Sequence, residues 1–270
     1  MTTTNASTAN RPAPTRPVAT PSIVDHPVVS RDQWLAERKK LLAREKELTR
    51  LGDQIARERR ALPWVRLEKD YAFDTPEGRR PLAELFGGRS QLLMQHFMLA
   101  PGWEQGCKSC SYMADHTDAT LVHLAQRDVA FVAVSRASLV EIERFHKRMG
   151  WRFPWVSSEG TDFNRDFGVT FTADEKGDKL AGGAASYNYG GTPPGEEMPG
   201  VSAFWRNDAG EVFHTYSTYG RGVEVMMHSY RLLDLTAKGR DEDGLGFTME
   251  WVRHHDRYET APAARSCCAG

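Results

Sequence analysis

The chain has 270 residues, 40% hydrophobic and 26% charged, with a formal net charge of -1. That composition suits a globular domain with a sizeable core, and the balanced charge, with no basic patch between aromatics, excludes nucleic acid and anionic membranes as expected partners. No run approaches the ~20 apolar residues of a membrane helix, and the N-terminus lacks the apolar stretch of a secretory signal, so a cytoplasmic protein is expected.

Residues 1–29, rich in Thr, Pro and Ala, read as a disordered tail. Ser30 then opens an amphipathic helix over 30–62, with Gln33 as its capping-box partner. Trp34, Leu41, Leu48 and Ile55 stand one heptad apart, and Leu35, Leu42 and Leu51 widen the stripe. Arg38, Glu45 and Gly52 occupy the other core positions of a heptad, which is wrong for a self-sufficient coiled coil. The helix is therefore expected to pack on its own domain or on a second subunit, as a homodimer arm. Pro63 ends it, and a main domain follows over 63–236.

WVRLEKDYAFDTPEGRRPLAELF predicts two short strands around a turn at 75–78, then one helical turn. Residues 89–99 form a long apolar run, the pattern of a buried central strand. A helix is expected over 107–126, a second buried strand over 128–135, and a helix over 138–149 with Leu139, Ile142, Phe145 and Met149 on one face. Strand, helix, strand, helix at this spacing implies a right-handed crossover and a parallel sheet core. The Gly- and Pro-rich stretch 172–197 reads as a loop-like insertion, too polar for a core, whose position over a site as a lid the sequence leaves open. Segments 201–206 and 211–217 flank Asn207-Asp208-Ala209-Gly210 as a β-hairpin, and 223–235 reads as a last helix. Residues 237–270 form a polar C-terminal extension ending in Cys267 and Cys268.

The chemistry concentrates in GWEQGCKSCSYMADH, which follows a buried strand and opens a helix. Unpaired backbone N–H groups and the positive end of the helix dipole favour a thiolate there, and Lys108 adds a cation. Such surroundings lower a cysteine pKa from ~8.5 toward ~7 or below. A C-x-x-C spacing brings both sulfurs within bonding distance, so Cys107 is the expected nucleophile and Cys110 the resolving thiol. Trp103 packs over the sulfurs as part of a partner surface, or simply in the core. Pro199 stands just before a hairpin strand, where a cis proline would present backbone groups to substrate; the plain alternative is a strand-start proline.

Other readings of the same residues stay open. One C-x-x-C can be half a zinc site, yet a structural zinc needs four ligands and no second C-x-x-C exists. A soft-metal carrier would add His96 or His116, each of which could also shuttle protons or be a satisfied structural histidine. Cys267 and Cys268 could pass electrons to the pair, or be an inert tail. His214 reads as packing, His254 and His255 as solvated, and Arg136 as a surface arginine. With no G-x-G-x-x-G opening a helix and no P-loop, no organic cofactor is expected.

These strings also carry a resemblance. WLAERKKLLAREKELTR, RRALPWVRLEKDYAFD, RSQLLMQHFM, the CKSC segment, VSRASLVEIERFHKRMGWRFPWVSS, DFNRDFGV, FHTYSTYGRG and LLDLTAKGRDEDG resemble an uncharacterised bacterial family of predicted dithiol-disulfide oxidoreductases, over about 31–258. The resemblance implies an α/β, thioredoxin-like three-layer sandwich with a central mixed sheet, plus the N-terminal helix and the Gly-rich insertion. It implies thiol–disulfide exchange with a disulfide-containing protein or small thiol, and a reductant such as thioredoxin or glutathione. The segment VAFVAVSRASLVEIERFHKRMGWRFPWVSS also resembles peroxiredoxins. In their Thr/Ser-x-x-Cys frame Cys110 takes the peroxide-attacking position and Cys107 replaces the Thr, a departure from the usual peroxidase motif.

Overall fold

The computed structural model describes residues 23, 25–176 and 186–259. Most of the expected N-terminal tail, the middle of the insertion, and both Cys267 and Cys268 lie outside these residues. The chain divides into two compact units, residues 1–49 and 50–270. Helix α1 (Arg31–Arg60) begins at the expected capping box: Gln33 N–H donates to Ser30 Oγ at 3.3 Å and Ser30 N–H to Gln33 Oε1 at 3.0 Å. None of its residues is buried, Trp34, Leu41, Leu48 and Ile55 included.

The second unit is built on one eight-stranded sheet. Its strands are β1 (Val65–Arg66), β2 (Ala72–Thr75), β3 (Gly78–Pro81), β4 (Gln91–His96), β5 (Val129–Ser135), β6 (Trp155–Ser157), β7 (Gly200–Arg206) and β8 (Val212–Tyr219), in the order β1-β8-β7-β4-β5-β6-β2-β3. β4, β5 and β6 run parallel, while β7 lies antiparallel to β4 on the other side and pairs with β8 as a hairpin. The helices are α2 (Lys108–Asp118), α3 (Leu121–Ala125), α4 (Leu139–Met149), α5 (Phe163–Asp166) and α6 (His228–Leu233). A parallel strand–helix–strand unit joined on one sheet to an antiparallel hairpin and a closing helix is a thioredoxin-like fold, with the mixed sheet and N-terminal helix expected.

Alternation along the central strands explains the layers. On β4 and β5, Leu92, Met94, Ala130, Val132 and Val134 face one way, and Leu93, Phe131 and Ala133 the other. Both faces are apolar because both are covered. Helices α2, α4 and α6 cover one face through Met113, Ile142, Phe145, Met149 and Tyr230. Among the described residues, the other face carries a short 3-10 turn (Leu82–Phe86) and α5, with Phe86, Phe163 and, just past α5, Phe167. Large aromatics make up for that thin layer: Phe163 stands edge-on to Phe73 at 4.8 Å and to Tyr71 at 5.0 Å.

Several local expectations change. The 107–126 helix breaks into α2 and α3 around Ala119 and Thr120, and the 223–235 helix into a 3-10 segment (Gly220–Met226) and α6. The insertion is not wholly loop. Tyr187 is buried and forms a small separate core with Val169, Phe171 and Tyr219. The C-terminal extension is likewise anchored, with Val252 and His254 buried.

Phe145 joins α4 to the sheet through Phe97, Trp151 and Trp155, at ring distances of 6.4, 5.8 and 6.2 Å. Replacing it with Ala leaves a cavity in a close-packed layer. Denaturant unfolding of Phe145→Ala is expected to show a loss of about 3–5 kcal/mol; a loss below about 1 kcal/mol would mean that this layer is loosely packed.

Candidate active site

After β4 the chain crosses the sheet edge through Phe97 and Leu99, turns at Pro101-Gly102, and enters α2. Cys107 is the N-cap of α2 and sits half-buried. Its N–H donates to the Met98 carbonyl at 3.0 Å, which ties the helix start to the end of the strand. Its carbonyl accepts from the Ser111 N–H and Oγ, both at 2.9 Å. Cys110, one turn on, is fully buried, and its carbonyl accepts from Gln95 Nε2 at 3.1 Å. Both are free cysteines.

The two thiols have opposite acidities. The Cys107 thiol is lowered to about 6, first by a hydrogen bond from the Cys110 side chain and then by the backbone N–H groups of Cys110 and Ser109, against an opposing desolvation. Cys110 is pushed well above the ordinary range by its burial, then by the hydrogen bond and the charge of Cys107, and further by the charge of Glu197. Helix-end donors therefore act as the sequence implied, while the leading contribution is Cys110 itself rather than the Lys108 charge. The surroundings thus favour the thiolate at Cys107 and the protonated thiol at Cys110.

Gly106 makes room for this arrangement. A Cβ there would fall 2.5 Å from Phe97 Cε1 and 2.8 Å from Phe145 Cε1. Its carbonyl accepts from His254 Nε2 at 2.8 Å, and His254 Nδ1 faces Arg148 Nη2 at 3.5 Å. The neutral Nε2–H tautomer satisfies both contacts. Burial, and then the nearby Arg148 and Lys108 charges, lower the His254 pKa, while the Gly106 bond opposes them. Arg148 grips Asp256 through Nε at 2.8 Å and Nη2 at 2.9 Å, and reaches Gln105 Oε1 through Nη1 at 2.9 Å. A segment more than 140 residues away is thus pinned against the motif loop. His254 corrects the expectation of a solvated histidine; His255 is exposed, with Nδ1 at 2.7 Å from Asp115 Oδ1.

The other candidates separate. Trp103, about two-fifths exposed, and Lys108 line the same groove as Cys107. Pro199 lines a different cavity of about 890 Å³, with Ser109, Met113, Tyr187 and Met198. Its preceding peptide bond is trans, which overturns the cis form considered above; its carbonyl accepts from Tyr187 Oη at 2.7 Å. His96 lies on the sheet face opposite α2, stacked on Phe163 and Phe167 and bonded to Ser202 Oγ, with burial holding its pKa down at about 3. It cannot serve the cysteines from there. His116 joins α2 to α6, accepting from the Ser229 N–H through Nε2 at 3.1 Å. His214 packs on Phe167 and Phe204. Arg136 is not a lone surface residue: its Nε donates to buried Glu197 at 2.7 Å. Among the described residues, no three His, Cys, Asp or Glu side chains are grouped to hold a metal ion. Among the same residues, no helix is long and apolar enough to cross a membrane.

A family model described as a bacterial protein of unknown function, DUF899, matches residues 23–258. The chain belongs to this family. DUF899 in this chain therefore covers the motif, the sheet and the pinned segment at 252–257. No curated protein matches the chain. Among solved structures, it is similar to the peroxidoxin BcpB from Mycobacterium tuberculosis, with 15% identity over 62% of this chain and 95% of that one, at a TM-score of 0.39. A Xanthomonas campestris peroxiredoxin Q matches at 13% identity over 60% and 89%, TM-score 0.37. A structure described as a putative thiol:disulfide interchange protein DsbE from Chlorobium tepidum matches at 13% over 63% and 97%, TM-score 0.36.

Two outcomes follow for the thiols. The ultraviolet thiolate absorbance of the wild type should titrate at about 6, and Cys110→Ala should move that transition up toward the ordinary ~8.5. Gly106→Ala should raise it as well, because Cys107 is pushed off the helix end; an unchanged titration in both variants would contradict this account of the site.

Proposed function

We propose that this chain is a thiol–disulfide oxidoreductase that works through Cys107 and Cys110. The observation that carries the reading is the split between the two thiols: a half-buried Cys107 whose pKa is lowered against a fully buried Cys110 whose pKa is raised. The Cys107 thiolate attacks one sulfur of a disulfide; that S–S bond breaks and the first thiolate leaves and takes up a proton. Cys110 then gives its proton to solvent and attacks the Cys107 sulfur, expelling the second thiolate. The substrate gains two electrons and two protons, and the protein is left with a Cys107–Cys110 disulfide. A dithiol or thiol system of the thioredoxin or glutathione class would reduce it again.

The division of roles follows from access and acidity. An attacking thiol is best poised when its pKa lies near ambient pH, and a resolving thiol is best kept out of reach of solvent. The same split weighs against a peroxidase in the usual frame. That frame makes Cys110 the attacking residue, and here its sulfur is buried and its thiolate disfavoured.

The test is to trap the intermediate. Cys110→Ser incubated with a disulfide substrate should accumulate a stable mixed disulfide on Cys107, seen by intact mass. Cys107→Ser should accumulate none on Cys110 by peptide mapping and should lose at least about a hundredfold in exchange rate. A sulfenate forming on either cysteine with stoichiometric peroxide, faster than any disulfide reacts, would replace exchange by peroxide reduction.

A further inference from the structure

The groove that leads to Cys107 has a charge of one sign. It encloses about 550 Å³ and is lined by Trp103, Lys108, Arg253, His254 and Arg257 beside the thiol. Among the described residues, no carboxylate lines it. Of the acids nearest in sequence, Glu104 stands outside the lining and Asp256 is held by both arms of the Arg148 guanidinium. Lys108, Arg253 and Arg257 have no ion-pair partner among the described residues. Arg253 Nη1 instead donates to the carbonyls of Glu250 and Val252, at 2.6 and 3.0 Å, which holds the guanidinium at the rim without neutralising it. The segment is anchored at both ends of this stretch: Val252 and His254 are buried, His254 bonds the Gly106 carbonyl, and Asp256 bonds Arg148. The cations are thus fixtures of the folded domain rather than of a loose tail.

The cavity on the other side of the motif differs in kind. Met113, Met198, Met227 and Met249 line it, and its rim mixes both signs of charge. Cys107 does not line that cavity; it lines the cationic groove. The molecule whose sulfur reaches Cys107 therefore lies among three cations and against an indole ring.

We propose that the substrate of this site is a small, peptide-sized disulfide bearing carboxylates close to its sulfurs. Carboxylates meet Lys108, Arg253 and Arg257, and the apolar part of the ligand lies on Trp103. The same cations stabilise the leaving thiolate as its S–S bond breaks, and they concentrate anions at the nucleophile. The balance of the step is that given above: two electrons pass to the disulfide, two thiols leave, and the Cys107–Cys110 bond forms. The inference rests on the reading of this pair as an exchange couple.

The experiment compares three symmetric disulfides on the full chain: oxidised glutathione (anionic), hydroxyethyl disulfide (neutral) and cystamine (cationic). Each rate of Cys107–Cys110 oxidation is divided by the rate of the same disulfide with dithiothreitol, which removes intrinsic reactivity. The anionic disulfide should exceed the neutral one by about tenfold or more at low salt, with cystamine slowest. Raising ionic strength to about 0.5 M should shrink the preference to a few-fold. Arg253→Ala combined with Arg257→Ala should cut the anionic-to-neutral ratio at least about fivefold, and Arg257→Glu alone should also lower it. Equal normalised rates for the three disulfides in the wild type, or a ratio untouched by salt, would overturn the inference while leaving the exchange couple standing. Failure of all three to oxidise the pair would overturn both. An acidic protein disulfide that reacts while oxidised glutathione does not would replace the small ligand with a macromolecular one and overturn the proposal as stated.

Discussion

Everything at this site depends on the unequal burial of two thiols one helical turn apart at the start of a helix. Cys110 is buried deeply enough that its own ionisation is disfavoured, so it keeps its proton and offers it to Cys107. The Cys107 thiol is lowered first by that Cys110 side chain and then by the backbone N–H groups of Cys110 and Ser109, against its own desolvation. Burial of one thiol thus becomes acidity of the other. Neither effect alone would give a pair in which one sulfur attacks and the other waits.

The fold exists, as far as this site is concerned, to hold that geometry still. β4 delivers Gln95 to the Cys110 carbonyl and Met98 to the Cys107 N–H, so the helix start is registered to the strand before it. Beneath the loop, Phe97 and Phe145 fill the space that Gly106 leaves open. From outside, Arg148 and His254 close on the same loop. The loop that carries the nucleophile is therefore clamped between an aromatic floor and a polar brace, an arrangement of the kind that preorganised sites require.

Much of this was legible in the sequence, and the boundary between what was and what was not is physical. β4 and β5 are readable because a strand buried on both faces carries apolar residues at consecutive positions, as at 92–94 and 129–134. α4 announces itself by Ser138 and Glu141, whose reciprocal bonds form the capping box, and by Gly150 in the left-handed conformation at its end. The hairpin is readable from its turn residues. The break between α2 and α3 was not, since neither Gly nor Pro marks residues 119–120. His254 and Arg148 were invisible for another reason: their role depends on a contact across more than 100 residues, and a histidine near a polar C-terminal stretch carries no local sign of it. Gly106 could have been found, because a glycine immediately before an N-capping cysteine marks a place where a side chain has no room. The motif named the two cysteines. The helix end gives a reason for Cys107 to be the more acidic of the two, while the leading contribution, from the Cys110 thiol, depends on coordinates.

The central claim is that Cys107 and Cys110 form one two-electron couple, and equilibrium titration of the pair against a thiol–disulfide redox buffer tests it most directly. The account predicts a single transition in which both thiols are lost together, with peptide mapping placing the new bond between Cys107 and Cys110. Its slope should be about 30 mV per decade, as for a two-electron exchange. Thiols lost one at a time, or a Cys107 that forms only adducts with the buffer while Cys110 stays reduced throughout, would contradict it.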